Sequence, residues 1–337
     1  MPREREATSV QIRNQSIHAR GRRQNGIRQM RSTSTRPLEH IHNLRVNFAG
    51  DRRAPHKPLL LLYALGQLRR GRRKIPFNDV KSALGPLLDA YAPPVKNRHQ
   101  PELPFWHLVT DGLWRIHDAD SLERQASGFP KMKALRGSIG QLNDHFAQQI
   151  ERDPRLFSSV VISLLEEHFA PSTHHDILNA VGLEHSARQT VAEENVDYTP
   201  TRRRDPQFRA EVLRAYEHRC AFSGFQAALG GTYLGCEAAH VQWHSFAGPD
   251  DVTNGLALEP TIHKLFDIGA WSLTDDRRII VSEHFTGSDA TVERIRGRHG
   301  KRLRSPLPGH QEVNPEFIKW HREPKLGGVF REPALPL

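Results

Sequence analysis

The stretch from Gly235 to Asp267 leaves the backbone few options. A short run, Glu237-Ala-Ala-His240-Val241, reads as a strand. The Gly248-Pro-Asp-Asp segment cannot prolong it and marks a loop. Residues 256–258 form a second short apolar strand, and Pro260 then suits the first turn of a helix. Strand, loop, strand and helix in immediate succession must pack locally. His240 stands on the first strand, Asn254 just before the second, and His263 in the helix with Asp267 one turn further on. Positions i and i+4 share a helix face, so His263 and Asp267 project together. Imidazole nitrogen beside carboxylate oxygen suits a divalent ion such as Mg²⁺, Mn²⁺, Co²⁺ or Ni²⁺.

Phosphodiester hydrolysis needs a water nucleophile activated near neutral pH and charge stabilisation on the leaving oxygen. A histidine serves the first need and a bound cation the second. The spacing His240–x13–Asn254–x8–His263, with the phrases Glu237-Ala-Ala-His240 and Asn254-Gly-Leu-Ala-Leu258, resembles the HNH nucleases of McrA-like restriction enzymes over roughly residues 205–330. The resemblance implies a ββα-metal fold with His240 as general base and His263 as metal ligand. Asn254 would tie the loop through backbone hydrogen bonds, and Asp267 would be a further ligand. Many HNH enzymes carry an Asp or His ligand directly before the base; that position here is Ala239. Glu237, two residues earlier on the same strand face, is the carboxylate left to reach the ion.

At 337 residues the chain has room for two cores. Its net charge of +10 favours a polyanionic partner. Residues 1–36, however, hold nine arginines against two glutamates, so most of the excess lies in a polar tail. Such a composition cannot offset its ordering entropy and is expected to be disordered. No apolar run approaches the roughly 18 residues of a bilayer span, and the N-terminus lacks the apolar stretch of a secretory signal. Cys220 and Cys236 cannot make a disulfide framework. A cytoplasmic protein with reduced cysteines and no membrane partner is expected. Structural zinc is not, because Ala221-Phe222-Ser223 follows Cys220 where a CxxC motif would place a second cysteine.

Upstream, residues 58–70 read as a buried leucine-rich helix and 77–88 as an amphipathic one, followed by a Pro-rich loop over 92–104. Residues 105–109 and 113–116, around Thr110-Asp111-Gly112, suggest a short hairpin. Residues 156–169 form a helix closed by Pro171. The polar stretch 174–204 reads as a helix and then a linker, and Asp205-Pro206 opens a new helix running to about His218. Isolated histidines such as His244 and His321 read as surface or satisfied core residues. Phe105, Trp106 and Trp114 read as core.

The set Ala54-Pro-His56-Lys57-Pro58-Leu-Leu-Leu-Leu62, Leu103-Pro104-Phe-Trp-His107 and Asp111-Gly-Leu-Trp114 resembles the sulfur-binding domain of restriction enzymes that attack phosphorothioate-modified DNA, over about residues 38–170. A backbone sulfur is larger, more polarisable and a weaker acceptor than oxygen, so a shallow apolar cup favours it while ordinary phosphate loses hydration there. The resemblance implies a cup of Leu103, the Pro104 ring and the stem of His107. His56 and Lys57 at the helix start would grip the neighbouring phosphate, with Arg98 and His99 as further DNA contacts. Related domains carry an aromatic residue at the Leu103 position, a small one at His107 and arginine at Lys57. Lysine lacks the bidentate fork.

The expected architecture is α+β: a mainly helical N-terminal DNA-binding domain with a short hairpin, and a C-terminal ββα-metal nuclease domain. The expected divisions are a tail over 1–36, a recognition domain over 37–173, a helix and linker over 174–204, and a nuclease domain over 205–337. The expected activity is a metal-dependent endonuclease directed at phosphorothioated double-stranded DNA. Competing readings are an HNH nuclease for methylated or unmodified DNA, and a DNA-binding module with a degenerate nuclease half. A double-strand break needs two cuts, which a homodimer or two recruited copies would supply.

Overall fold

The computed structural model describes residues 36–44, 55–92, 95, 98–184 and 205–337; of the tail expected over 1–36, residues 1–35, and of the helix and linker expected over 174–204, residues 185–204, lie outside the described residues. After a short helix α1 (Arg36–His42), the leucine run forms α2 (His56–Arg69). Every residue from 58 to 68 is buried, and a helix apolar all round must sit at the centre of its domain. Pro58 occupies the first turn, where a missing N–H costs nothing. At the other end Gly71 adopts φ +75°. The amides of Gly71 and Arg72 then donate to the carbonyls of Leu68 and Gln67, both at 2.9 Å, capping the helix.

Strand β1 (Ile75–Pro76) leads into α3 (Phe77–Tyr91). The hairpin expected over 105–116 is absent. Residues 102–107 form a helix, α4 (Glu102–His107), continued by a 3-10 turn over Leu108–Asp111. Pro104, Phe105 and Leu108 are all buried, which is helical spacing and not the alternation of a strand. Phe105 packs edge-on to Phe77 and Trp114, at 5.0 and 5.6 Å between centroids. Strand β2 (Trp114–Ile116) pairs instead with β3 (Ile139–Leu142), beyond α5 (Met132–Arg136); the antiparallel order is β1-β3-β2. Helices α6 (Asp144–Arg152) and α7 (Pro154–His168) follow, capped by the side chains of Asn143 and Asp153. Then α8 (His174–Val181) lays Ile177, Leu178 and Val181 into the same core.

The second core is built from smaller pieces. Helix α9 (Pro206–Ala215) starts at Asp205, whose side chain accepts from the Gln207 amide at 2.8 Å. An exposed hairpin, β4 (Ala227–Leu229) and β5 (Thr232–Leu234), turns at Gly230-Gly231. The antiparallel pair β6 (Glu237–His240) and β7 (Gly255–Leu258) precedes α10 (Pro260–Asp267), which is the ββα unit read from the sequence. A further ribbon, β8 (Trp271–Leu273) with β9 (Ile279–Val281), and helices α11 (Asp289–Arg296) and α12 (Pro315–Arg322) complete the chain. Trp271 is the hub, with Phe222 and Phe266 at 4.6 and 4.5 Å between centroids. The fold class is α+β. No helix among the described residues is long and apolar enough to cross a membrane.

His321 lies wholly inside this core. Its ring stacks on Phe266 at 3.7 Å, Nε2 lies 3.1 Å from the Phe266 carbonyl, and Nδ1 lies 2.8 Å from the Ser272 hydroxyl. Burial lowers its pKa to about 3. Below the unfolded value near 6.5, the unfolded chain binds a proton that the folded chain refuses. His321 therefore costs stability as pH falls from 6.5 toward 3, by up to ~1.4 kcal/mol per pH unit. Urea unfolding at pH 7, 6 and 5 is expected to show this slope, and His321→Gln is expected to remove its share. Equal slopes for the two proteins would contradict this account.

Candidate active site

Pairing of β6 with β7 sets His240 opposite Gly255 and Glu237 opposite Leu258. A Cβ on Gly255 would stand 2.3 Å from Cγ2 of Val212, so only glycine lets α9 close on β7. That closure lays the ring of Phe208 flat on His240, with centroids 4.0 Å apart and planes 16° apart. The loop between the strands is organised by Asn254, which is fully buried. Its Oδ1 accepts from the Gln242 amide at 2.8 Å, and its Nδ2 donates to the carbonyls of Gln242 and Pro249, both at 2.9 Å.

The loop so shaped delivers Asp250, whose Oδ1 is 2.8 Å from Nε2 of His240. Its Oδ2 accepts from the Asp205 amide at 2.7 Å and lies 3.7 Å from Nε2 of His244. Burial alone would raise the Asp250 carboxyl, but the Asp205 amide and the two imidazoles hold it below the usual range. Asp250 escaped the sequence reading because Gly248-Pro-Asp-Asp carries turn chemistry that accounts for it fully.

On α10, Nδ1 of His263 is 2.8 Å from Oε2 of Glu237, and Nε2 is 3.2 Å from Oδ2 of Asp267. Asp267 is buried, and its Oδ1 accepts from the Trp243 indole at 3.1 Å. Its Oδ2 also accepts from the hydroxyl of Ser172, from the N-terminal half. Burial raises the Asp267 carboxyl against the pull of His263, Ser172 and Trp243. Glu237 is half exposed, and its hydrogen bond to His263 lowers its pKa. His240, His263, Glu237 and Asp267 all line one cavity of about 660 Å³, whose far wall includes Glu166, Phe169 and Ser172. Phe208 and Ser172 had no individual signal in the sequence, since each joins the site from another segment; Trp243 lies in the loop itself, but nothing local marks its indole as a partner of Asp267.

Two of these residues offer a divalent cation a partial ligand set. Among the described residues, no three His, Cys, Asp or Glu side chains group closely enough to hold an ion unaided. Glu237 and Nδ1 of His263 do converge, offering one carboxylate and one imidazole at the cavity edge. Hard cations accept so few protein ligands when water and phosphate oxygens complete the shell. Ala239 is fully buried in the core, and Glu237 is the carboxylate on the same strand. Cys220 and Cys236 are buried free thiols, and burial pushes Cys236 up to about 11.

The other named residues gather at the start of α2. Nε2 of His56 lies 3.4 Å from Nδ1 of His99, and both residues are largely buried. Burial, with His99 adding to it, lowers the His56 pKa to about 4. Lys57 pairs with the buried Asp111 at 2.5 Å. Leu103 and His107 are exposed one turn apart on α4, whereas Pro104 is buried beneath them. Burial and the Lys57 ammonium both lower the His107 pKa. Arg98 is exposed.

Residues 34–186 match the family model of the ScoMcrA-like DNA sulfur-binding domain, and residues 220–274 match that of the HNH endonuclease. Among solved structures, the sulfur binding domain of ScoMcrA complexed with phosphorothioated DNA is 24% identical over 44% of this chain and 96% of that one, with a TM-score of 0.40. The corresponding SprMcrA complex is 25% identical over 46% of this chain and 96% of that one, at 0.38. The type IV phosphorothioation-dependent restriction endonuclease ScoMcrA is 23% identical over 52% of this chain and 38% of that one, at 0.39. No curated protein matches the chain. The chain therefore joins a ScoMcrA-like DNA sulfur-binding domain to an HNH endonuclease domain.

Proposed function

We propose that this protein is a phosphorothioate-dependent DNA endonuclease, in which the N-terminal domain captures a sulfur-marked duplex and the HNH site hydrolyses a phosphodiester nearby. The observation that carries the reading is the convergence of His240 and His263 on one cavity, each imidazole already held by a carboxylate. In this reading Asp250 holds the Nε2 proton of His240, so the ring takes a proton from water on Nδ1. Asn254 keeps the loop, and hence Asp250, in place. Glu237 and His263 would hold the cation, and Asp267 would orient His263 through its contact with Nε2. A bound divalent ion supplies charge stabilisation at the scissile phosphate and the departing oxygen.

Recognition rests on the exposed pair Leu103 and His107, beside a His56 that is neutral at pH 7 and a Lys57 already facing Asp111. Such a surface attracts ordinary phosphate weakly and suits the poorly hydrated sulfur. Tethering then raises the local concentration of the nuclease at a marked site.

Matched duplexes with and without one phosphorothioate linkage, incubated with Mg²⁺, Mn²⁺, Co²⁺ or Ni²⁺, test the reading. The modified duplex is expected to be cut about 100-fold faster, the ratio that ~2.7 kcal/mol of differential binding gives. Equal cutting of both would remove sulfur recognition and favour a nuclease for unmodified DNA. Binding of the modified duplex without cutting by any ion would leave a binding module.

A further inference from the structure

We propose that Ser172, contributed by the sulfur-binding half, is a positioning residue of the nuclease site: its hydroxyl fixes Asp267, and Asp267 fixes His263. The inference rests on the nuclease reading above and deepens it, because it makes the two halves share one active site.

Ser172 stands at a stiff corner. Helix α7 ends at His168, and Pro171–Thr173 forms a 3-10 turn. Both the amide and the hydroxyl of Thr173 donate to the Ala170 carbonyl, at 2.9 and 2.6 Å. The Ser172 hydroxyl donates to Oδ2 of Asp267, the same oxygen that faces Nε2 of His263 at 3.2 Å. Asp267 is inaccessible to water, so the hydrogen bonds it accepts are what set its rotation. Trp243 holds one oxygen and Ser172 secures the other. Without that hydroxyl the carboxylate loses one of its two anchors, and with it the reference that aims Nδ1 of His263 at Glu237.

Two further contacts tie α10 to the N-terminal half. Lys264 pairs with Asp176 of α8 at 2.7 Å. Arg331 donates from Nε to the Ile268 carbonyl, which closes α10, at 2.8 Å. It also donates from a terminal nitrogen to the Ala90 carbonyl of α3 at 2.7 Å. The helix carrying His263 is thus tied to α8 directly through Lys264 and, at its C-terminal end, to α3 through Arg331.

The test uses the full chain as Ser172→Ala and Ser172→Thr, with three readouts: Mn²⁺ affinity by electron paramagnetic resonance without DNA, single-turnover cleavage of phosphorothioated duplex, and duplex affinity. Removing a partner that orients a metal ligand costs 10- to 100-fold, and Ser172 acts one bond further out, so about tenfold is expected. Ser172→Ala is expected to weaken Mn²⁺ binding and slow cleavage by that factor, with duplex affinity unchanged. Ser172→Thr, which keeps the hydroxyl, is expected to restore both to within about twofold of wild type. In an Asp267→Asn background, Ser172→Ala should cost nothing further. Wild-type Mn²⁺ affinity in Ser172→Ala, equal damage in the alanine and threonine variants, or additive losses with Asp267→Asn would each overturn the proposal. A wild type that binds Mn²⁺ but never cuts would remove the nuclease reading while the metal titration still decides Ser172; one that binds no Mn²⁺ would overturn both.

Discussion

Replacing His240 with alanine is expected to slow cleavage of phosphorothioated duplex by about 10²- to 10⁴-fold, the usual contribution of a positioned general base. Duplex affinity is expected to stay at the wild-type level, because the residues assigned to recognition lie at the start of α2 and on α4. The geometry behind this is the pairing of Nε2 with Asp250 at 2.8 Å, which fixes the ring and its tautomer. Single-turnover rates in Mn²⁺, set beside duplex affinity by fluorescence anisotropy, decide the matter. A variant that cuts at the wild-type rate would show that another group activates the water. A variant that neither cuts nor binds would show that His240 supports the fold.

The second large effect is expected from Asn254→Ala. Three backbone groups, the amide and carbonyl of Gln242 and the carbonyl of Pro249, lose their partner inside the protein. An unsatisfied buried polar group costs about 1–3 kcal/mol, so a loss of at least ~3 kcal/mol of folding stability is expected. Residues 241–254 would then no longer hold Asp250 against His240, and cleavage should fall even where the protein remains folded. Urea unfolding paired with cleavage at low temperature separates the two losses. An unchanged unfolding midpoint would mean that the loop holds its shape without Asn254.

The ββα unit was readable because each of its parts is local. Pro260 starts a helix, Gly248-Pro249 ends a strand's reach, and His263 and Asp267 share a helix face by spacing alone. The same is true of α2, whose leucines admit no surface position. What the sequence hid are pairings across distance. Lys57 meets Asp111, Asp250 meets His240 and Ser172 meets Asp267 only once separate elements have packed. The hairpin expected over 105–116 failed for a related reason. The turn signal Thr110-Asp111-Gly112 between two short runs suggested a hairpin, but Phe105 is claimed by Phe77 and Trp114 in the core, and that packing selects a helix. Burial was equally hidden at Pro104, whose ring lies inside while its neighbours on α4, Leu103 and His107, are exposed.

Phe208 covers one whole face of the His240 imidazole, and this restricts how protons leave the site. On the face that Phe208 covers, the ring has no room to swing. In the proposed mechanism, a proton taken up by His240 leaves from the part of the ring that Phe208 does not cover, to solvent or along the Asp250 contact. Under that mechanism, the pace of turnover would follow how quickly water exchanges at the uncovered part of the ring once the cut ends have departed.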